Sequence, residues 1–343
     1  MITKRQQGLL RLLVREYIDT ASPVGSRAIV QKFDLPVSSA TVRNDMVELE
    51  GEGYITRPHT SAGAIPTDDG YRYYVETTAE TSDISLDFQR MIRHQFHQVE
   101  LELDQWARLA ATVMAQSVHT VALVTLPRHK ESKWHRVEVV PFDDTVVMVI
   151  CVMHEGQVRQ QMISLQESSD RKRIEYVASY LNESFQGLTR SEVLERGKAE
   201  LDAVSVQVLE IALEMMRAAD IADLERPYIY GLSEMLKQPE FTLTDQVREI
   251  VETLEDVKFL PTLLGGHSFP QDIRILIGTE NPFDGMHDCA LILTEYGVTS
   301  GAVGALGILG PRRMDYRQAI PIIRYISDLL TELSTDVASR NNH

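Results

Sequence analysis

Ser39, Thr41, Arg43 and Asn44 fall in one short run, Ser38-Ser39-Ala40-Thr41-Val42-Arg43-Asn44-Asp45-Met46-Val47-Glu48-Leu49. An arginine guanidinium can donate two hydrogen bonds to guanine, and an asparagine amide can pair both ways with adenine. Serine and threonine reach phosphate or a thymine methyl. Such side chains on the first turns of one helix suit the reading of base edges in a major groove. Downstream, Arg57, His59 and Thr60 lie around the polar run Pro58-His59-Thr60-Ser61-Ala62-Gly63, and suit phosphate or minor-groove contact.

These residues need a scaffold, and the spacing of apolar residues supplies one. Leu9, Leu10, Leu13, Val14, Tyr17 and Ile18 give the buried face of a first helix. Ala21-Ser22-Pro23-Val24-Gly25 breaks it, since proline cannot continue a helix and glycine favours turns. Ser26 is placed to cap a short second helix through Ala28, Ile29 and Phe33, and joins the candidate DNA-contacting set there. Asp34-Leu35-Pro36-Val37 turns, and Ser38 or Ser39 caps a third helix whose Val42, Met46 and Leu49 face the core. Helix, helix, turn, helix is the order of a helix-turn-helix. Tyr54-Ile55-Thr56-Arg57 and Ala64-Ile65-Pro66-Thr67 then read as the two strands of a wing. A three-helix domain whose hairpin binds protein has the same pattern and stays open here.

Charge is compatible with a phosphate partner. The chain carries 34 Lys+Arg against 50 Asp+Glu, a net of -16. Residues 1–75 hold nine of each sign, so the rest carries the whole excess. A neutral head is a poor non-specific binder, and its affinity must come from directed contacts and two copies acting together.

Four stretches resemble the HrcA heat-inducible transcription repressor family of bacteria. They are Pro23-Val24-Gly25-Ser26; Ser39 to Met46; Pro58 to Gly63 with Ile65-Pro66-Thr67 and Gly70-Tyr71-Arg72-Tyr73-Tyr74-Val75; and Gly304-Ala305-Leu306-Gly307-Ile308-Leu309-Gly310-Pro311-Arg312-Arg313-Met314-Asp315-Tyr316. One departure stands out: Ala64 occupies a position where that family usually has arginine, removing an expected cation from the wing. The resemblance implies an α+β multidomain protein. It would have a winged helix-turn-helix (1–76), a linker and long helix (77–118), and a GAF-like α/β domain (119–165 plus 225–343) interrupted by a helical dimerisation insert (166–224). It further implies a homodimeric repressor on an inverted-repeat operator in double-stranded DNA upstream of chaperone operons. Heat would release it, and the chaperonin GroEL would keep it competent. No cofactor is implied.

The remaining composition fits. At 343 residues and 43% hydrophobic, the chain can hold two or three domains with cores. Cys151 and Cys289, each in an apolar stretch, read as buried free thiols of a reducing compartment. With no membrane-length apolar run and a polar start, the expected location is cytoplasmic, with no membrane partner. Glu76 to Ser85 reads as linker. Ile92, Phe96, Val99, Leu103, Trp106, Ala110 and Val113 are spaced 4 and 3 in turn, as one long helix that either forms a seam with another helix or packs on its own domain. Strands follow at 119–126, 136–140, 145–153 and 158–165, helices over 166–224, and strands again at 227–231, 273–277 and 289–296.

Rival chemistry is thin. Gly301, Gly304, Gly307 and Gly310, followed by Arg312 and Arg313, could cradle phosphate. Yet no Gly-Lys-Ser/Thr occurs, and close packing of a strand is the simpler reading. His94 and His97 lack a third metal-ligand partner. Asp68-Asp69 read as caps of the next helix. No nucleophile pairs with a base, so no catalytic residue and no enzyme is expected. A ligand-sensing regulator using the α/β domain as a metabolite pocket is the alternative function.

Overall fold

Thr3 and Gln6 close the N-terminus of the first helix, α1 (Lys4–Thr20), by a reciprocal capping box. Ala21 ends it in the left-handed conformation. Helices α2 (Ser26–Lys32) and α3 (Ser39–Gly51) follow, then the strand pair Ile55–Thr56 and Ile65–Pro66, then α4 (Asp68–Thr78). Leu9, Leu10, Leu13, Val14, Ile29, Val42, Met46, Leu49 and Ile55 are buried together, as the apolar spacing requires. The computed structural model describes residues 2–59, 62–78, 84–99, 102–129, 131–154, 156–197, 201–222, 227–241, 244–256, 258–264, 273–297 and 302–341. Thr60 of the wing, Gly301 and the middle of the expected linker lie outside them. The chain divides into two compact units, Met1–Pro127 with Arg226–His343, and Arg128–Glu225.

In the first unit the expected long helix is two helices, α5 (Leu86–Gln98) and α6 (Leu103–Val118). Val99, at φ -88 and ψ 142, leaves the helical region, and Glu102 starts α6 from extended backbone. Ile92 and Phe96 on one helix, and Trp106, Ala107, Ala110 and Val113 on the other, are buried in the same core. Each helix turns its own apolar face inward, so the 4–3 spacing survives the break. These faces pack within their own unit, where α6 lies against α5 and the C-terminal helix Tyr316–Asn341.

Behind the helices an antiparallel sheet runs in the order Tyr228–Tyr230, Val121–Val124, Ala302–Pro311, Cys289–Gly297, Arg274–Ile277. The C-terminal helix Tyr316–Asn341 packs on it and on α6. The triplet glycines sit in the strand Ala302–Pro311 because neighbours leave no room for a Cβ. One on Gly304 would lie 2.3 Å from the Tyr296 ring, and one on Gly307 would lie 2.5 Å from Leu123.

The second unit differs from the expected insert. Its strands Trp134–Pro141, Val146–Met153 and Val158–Ser164 form their own antiparallel meander. It packs with Arg171–Phe185, Arg190–Arg196 and Ala203–Ala222. The inserted body is therefore α/β and begins near 128, whereas an insert of helices alone over 166–224 was expected. Alternation marks a strand but does not say which sheet it joins. Here Val137, Val147, Val149 and Cys151 bury against Ile174, Val177, Leu181 and Phe185. Asn182 locks the arrangement: its Oδ1 accepts from the Val137 N–H at 2.7 Å and from the Trp134 indole at 3.0 Å.

Candidate nucleic-acid interface

Helix α3 starts at Ser38, whose Oγ accepts the Thr41 N–H at 3.1 Å and lies 3.0 Å from the Thr41 hydroxyl. This cap holds the first turn, with Ser39 and Thr41 half-buried. Val42, Asp45, Met46 and Leu49 form the inner face, while Arg43 and Asn44 are exposed side by side. Val47 continues the outer face at 51% exposure. An aliphatic side chain held out in water between polar neighbours offers a surface for a thymine methyl. Helical spacing from Val42, Met46 and Leu49 already sets Val47 off the core face, and its exposure agrees.

The rotation of α3 is set from α1. Arg5 donates from Nε and one Nη to the two carboxylate oxygens of Asp45, both at 2.8 Å, and Asp45 is 3% exposed. Gln6 donates its amide to Glu48. A two-pronged arginine–carboxylate pair fixes direction as well as distance. It also leaves the buried Asp45 carboxylate paired on the inner face of α3. Helical spacing could not reveal this pair across 40 residues of sequence.

The wing departs from expectation in two places. Arg57 is turned toward the last turn of α3, its Nη1 3.4 Å from Glu50, with its side chain 18% exposed. His59 is exposed nearer the tip. Ala64 is fully buried, and its backbone exchanges hydrogen bonds of 2.8 and 2.9 Å with Val24. A Cβ on Gly63 would stand 2.6 Å from Pro23 backbone atoms. The wing's return strand is thus stitched to the turn before α2. Position 64 faces the interior, so alanine there removes no cation from the tip. Ser26 is half-buried and is the first residue of α2; Gly25 is the cap residue, and no side chain caps that helix.

The other candidates resolve into structural roles. Thr67, not Asp68-Asp69, caps α4: its Oγ1 accepts the Gly70 N–H at 3.2 Å and donates to the Gly53 carbonyl at 2.6 Å. Asp68 reaches instead across to Arg312 and Thr279. Arg312 and Arg313 are engaged with Asp68, Asp288 and Glu240, not left open for a phosphate. His94 hydrogen-bonds Gln98 one turn away. Among the described residues no group of three metal-ligating side chains occurs, and no helix is long and apolar enough to cross a membrane. Cys151 and Cys289 are free and buried.

Residues 104–320 match the family model described as the HrcA protein C-terminal domain, and residues 5–67 match that of the DeoR-like helix-turn-helix domain. A relative from Dehalococcoides mccartyi, named heat-inducible transcription repressor HrcA, is 37% identical over 337 residues, covering 98% of this chain and 97% of its own. One of the same name from Chloroflexus aurantiacus is 37% identical, covering 98% and 95%. A solved crystal structure, described as that of a hypothetical protein at 2.2 Å resolution, aligns with a TM-score of 0.63 at 27% identity, covering 98% of this chain and 99% of that one.

Proposed function

The chain belongs to the HrcA family of heat-inducible transcription repressors and carries a DNA-binding helix-turn-helix; on that premise we propose that it represses chaperone operons as a homodimer on an inverted-repeat operator and leaves it on heat stress. The observation that carries this reading is the outer face of α3. There a capped, buttressed helix presents Arg43, Asn44 and Val47 together. Arg43 takes guanine and Asn44 takes adenine. Ser26, Ser39 and Thr41 are the phosphate or methyl contacts beside them, and His59 with Thr60 forms the wing's share. Arg57 contributes less, since Glu50 holds it.

An inverted repeat needs two heads, and the second unit offers a surface for pairing. The outer face of its meander sets Val140, Met148 and Met162 in one cross-strand row, with Val152 beside Val158 in another. Val140, Val158 and Met162 are 44%, 60% and 57% exposed. An apolar face of that kind supports association between copies. The family resemblance makes the chaperonin GroEL the proposed partner that maintains the active form, and the cytoplasm the proposed compartment.

The test is binding of the purified protein to a chaperone-operon promoter fragment and to a scrambled repeat, at several temperatures and fixed salt. Specific binding that fades on warming and returns with chaperonin supports the reading. Equal binding to both fragments defeats it. Specific binding that ignores temperature keeps the repressor and removes heat as its signal.

A further inference from the structure

The run Gly310 to Tyr316 does something that neither a packing strand nor a phosphate loop explains: it grips the DNA-reading head. Arg312 donates to Asp68 at 3.1 Å through one Nη, and to Asp288 at 3.0 Å through the other. The far oxygen of Asp68 accepts both the N–H and the hydroxyl of Thr279 at 3.1 Å. So close is this seat that a Cβ on Gly278, at φ +55, would collide with the Asp68 carboxylate. One turn along α4, Arg72 donates to Glu280 at 2.9 Å and to the Ile275 carbonyl at 2.7 Å. Between them Tyr71 packs on Tyr316 with ring centroids 6.4 Å apart, both almost fully buried. From α1, Asp19 lies 4.0 Å from Arg317.

We propose that Arg312 and Asp68, with Arg72 and Glu280 beside them, form a latch that holds the winged-helix head in one orientation on the C-terminal body, and so sets the spacing of half-sites the dimer accepts. This rests on the operator reading above. Every group named reaches from α1 or α4, away from the base-reading helix α3, to the sheet, its turns and the start of the C-terminal helix. The base-reading helix α3 therefore inherits its direction from the latch. Two heads held rigidly act at high effective concentration when half-site spacing matches their separation, and that gain is lost when geometry allows only one to engage. A loosened head still reads one half-site, but no longer selects the distance to the next. Arg312 and Asp68 are positioning residues on this account, and touch no base.

The experiment compares wild type with Asp68→Asn/Arg312→Gln, and separately with Arg72→Gln, on three kinds of DNA. These are the full operator, a single half-site, and operators with half-sites moved apart by one to five base pairs. Arg312→Lys, which keeps the charge, is the conservative control. The latch predicts unchanged half-site binding and at least about a tenfold loss on the full operator. It also predicts a flattened dependence on spacing, partly restored in Arg312→Lys. Thermal melting screens out variants that have simply lost their fold. Variants that keep the wild-type spacing profile would overturn the proposal. If wild type itself ignores the operator, the operator reading has failed and the latch is judged without DNA. Spin labels at Gln31→Cys and Lys237→Cys, in labelled protein diluted into unlabelled, then report head-to-body distance. A distribution that is narrow in wild type and broad in Asp68→Asn/Arg312→Gln sustains the latch, and equal widths sink it.

Discussion

Arg57 on the wing lies 3.4 Å from Glu50 in the last turn of the recognition helix. The pair ties wing to helix within the head, and it takes a cation away from phosphate. A cation that neutralises a phosphate contributes about 0.9 to the slope of log affinity against log salt. Arg57→Ala is therefore expected to leave that slope near wild type. Glu50→Gln frees the guanidinium and should steepen the slope by about 1, raising affinity for all sequences alike at low salt. Salt titrations on operator and scrambled DNA decide it. A slope that falls by about 1 in Arg57→Ala would mean that the arginine leaves Glu50 for the backbone on binding.

Base reading is expected to sit on Arg43 and Asn44. Each change to alanine should cost about 1–3 kcal/mol of preference for the operator over a scrambled repeat. Both are exposed, so stability should stay within about 0.5 kcal/mol of wild type. Val47→Ala should act in the same direction at thymine positions only, visible when thymine is replaced by uracil in the site. Loss of affinity equal on both DNAs would reassign Arg43 to the phosphate backbone.

The helix-turn-helix was legible because each of its faces obeys a local rule. Leu9, Leu13 and Val14, or Val42, Met46 and Leu49, are close in sequence and share a period, and Ser38 lies where a cap must lie. What escaped was set by partners far along the chain. Asp68 looks like a helix cap until Arg312 is seen beside it, 244 residues on. Ala64 looks like a lost cation until its backbone is found paired with Val24. The break at Val99 is invisible because the helices on either side bury their faces in the same core. The meander shows the same limit: Val137 and Val149 alternate as any half-buried strand does, and only their packing on Leu181 assigns them to the second unit.

The glycine triplet yields a test of packing against phosphate binding. Gly304→Ala drives a methyl into Tyr296, Gly307→Ala into Leu123, and Gly310→Ala to within 2.6 Å of the Thr120 hydroxyl. Overpacking of this kind costs about 1–3 kcal/mol. Each variant should melt earlier by differential scanning calorimetry, and ATP should shift none of the melts, wild type included. An ATP-dependent shift in wild type that vanishes in Gly304→Ala would restore the phosphate-loop reading.

Cys151 and Cys289 report separately on the two units. Burial pushes both thiols up to about 12 from an ordinary 9.0, so folding keeps them protonated. Their stabilisation is complete below about pH 9 and declines as pH rises from there toward 12, because the unfolded chain releases those protons first. Chemical denaturation should accordingly show a loss of stability across that window that is smaller in Cys151→Ala and Cys289→Ala. Neither thiol should react with an alkylating reagent at pH 8 until its own unit opens. Cys151 belongs to the smaller unit, whose meander leaves Val140, Val158 and Met162 exposed. A smaller core buries a smaller share of its surface and yields sooner to heat. Pulse alkylation on a temperature ramp, read by mass spectrometry, should therefore mark Cys151 before Cys289. That order would place the first heat-driven opening in the unit proposed to pair two copies, releasing DNA by separating intact heads. The opposite order would place it in the unit that carries the head itself, and the paired surface would then have no part in sensing heat.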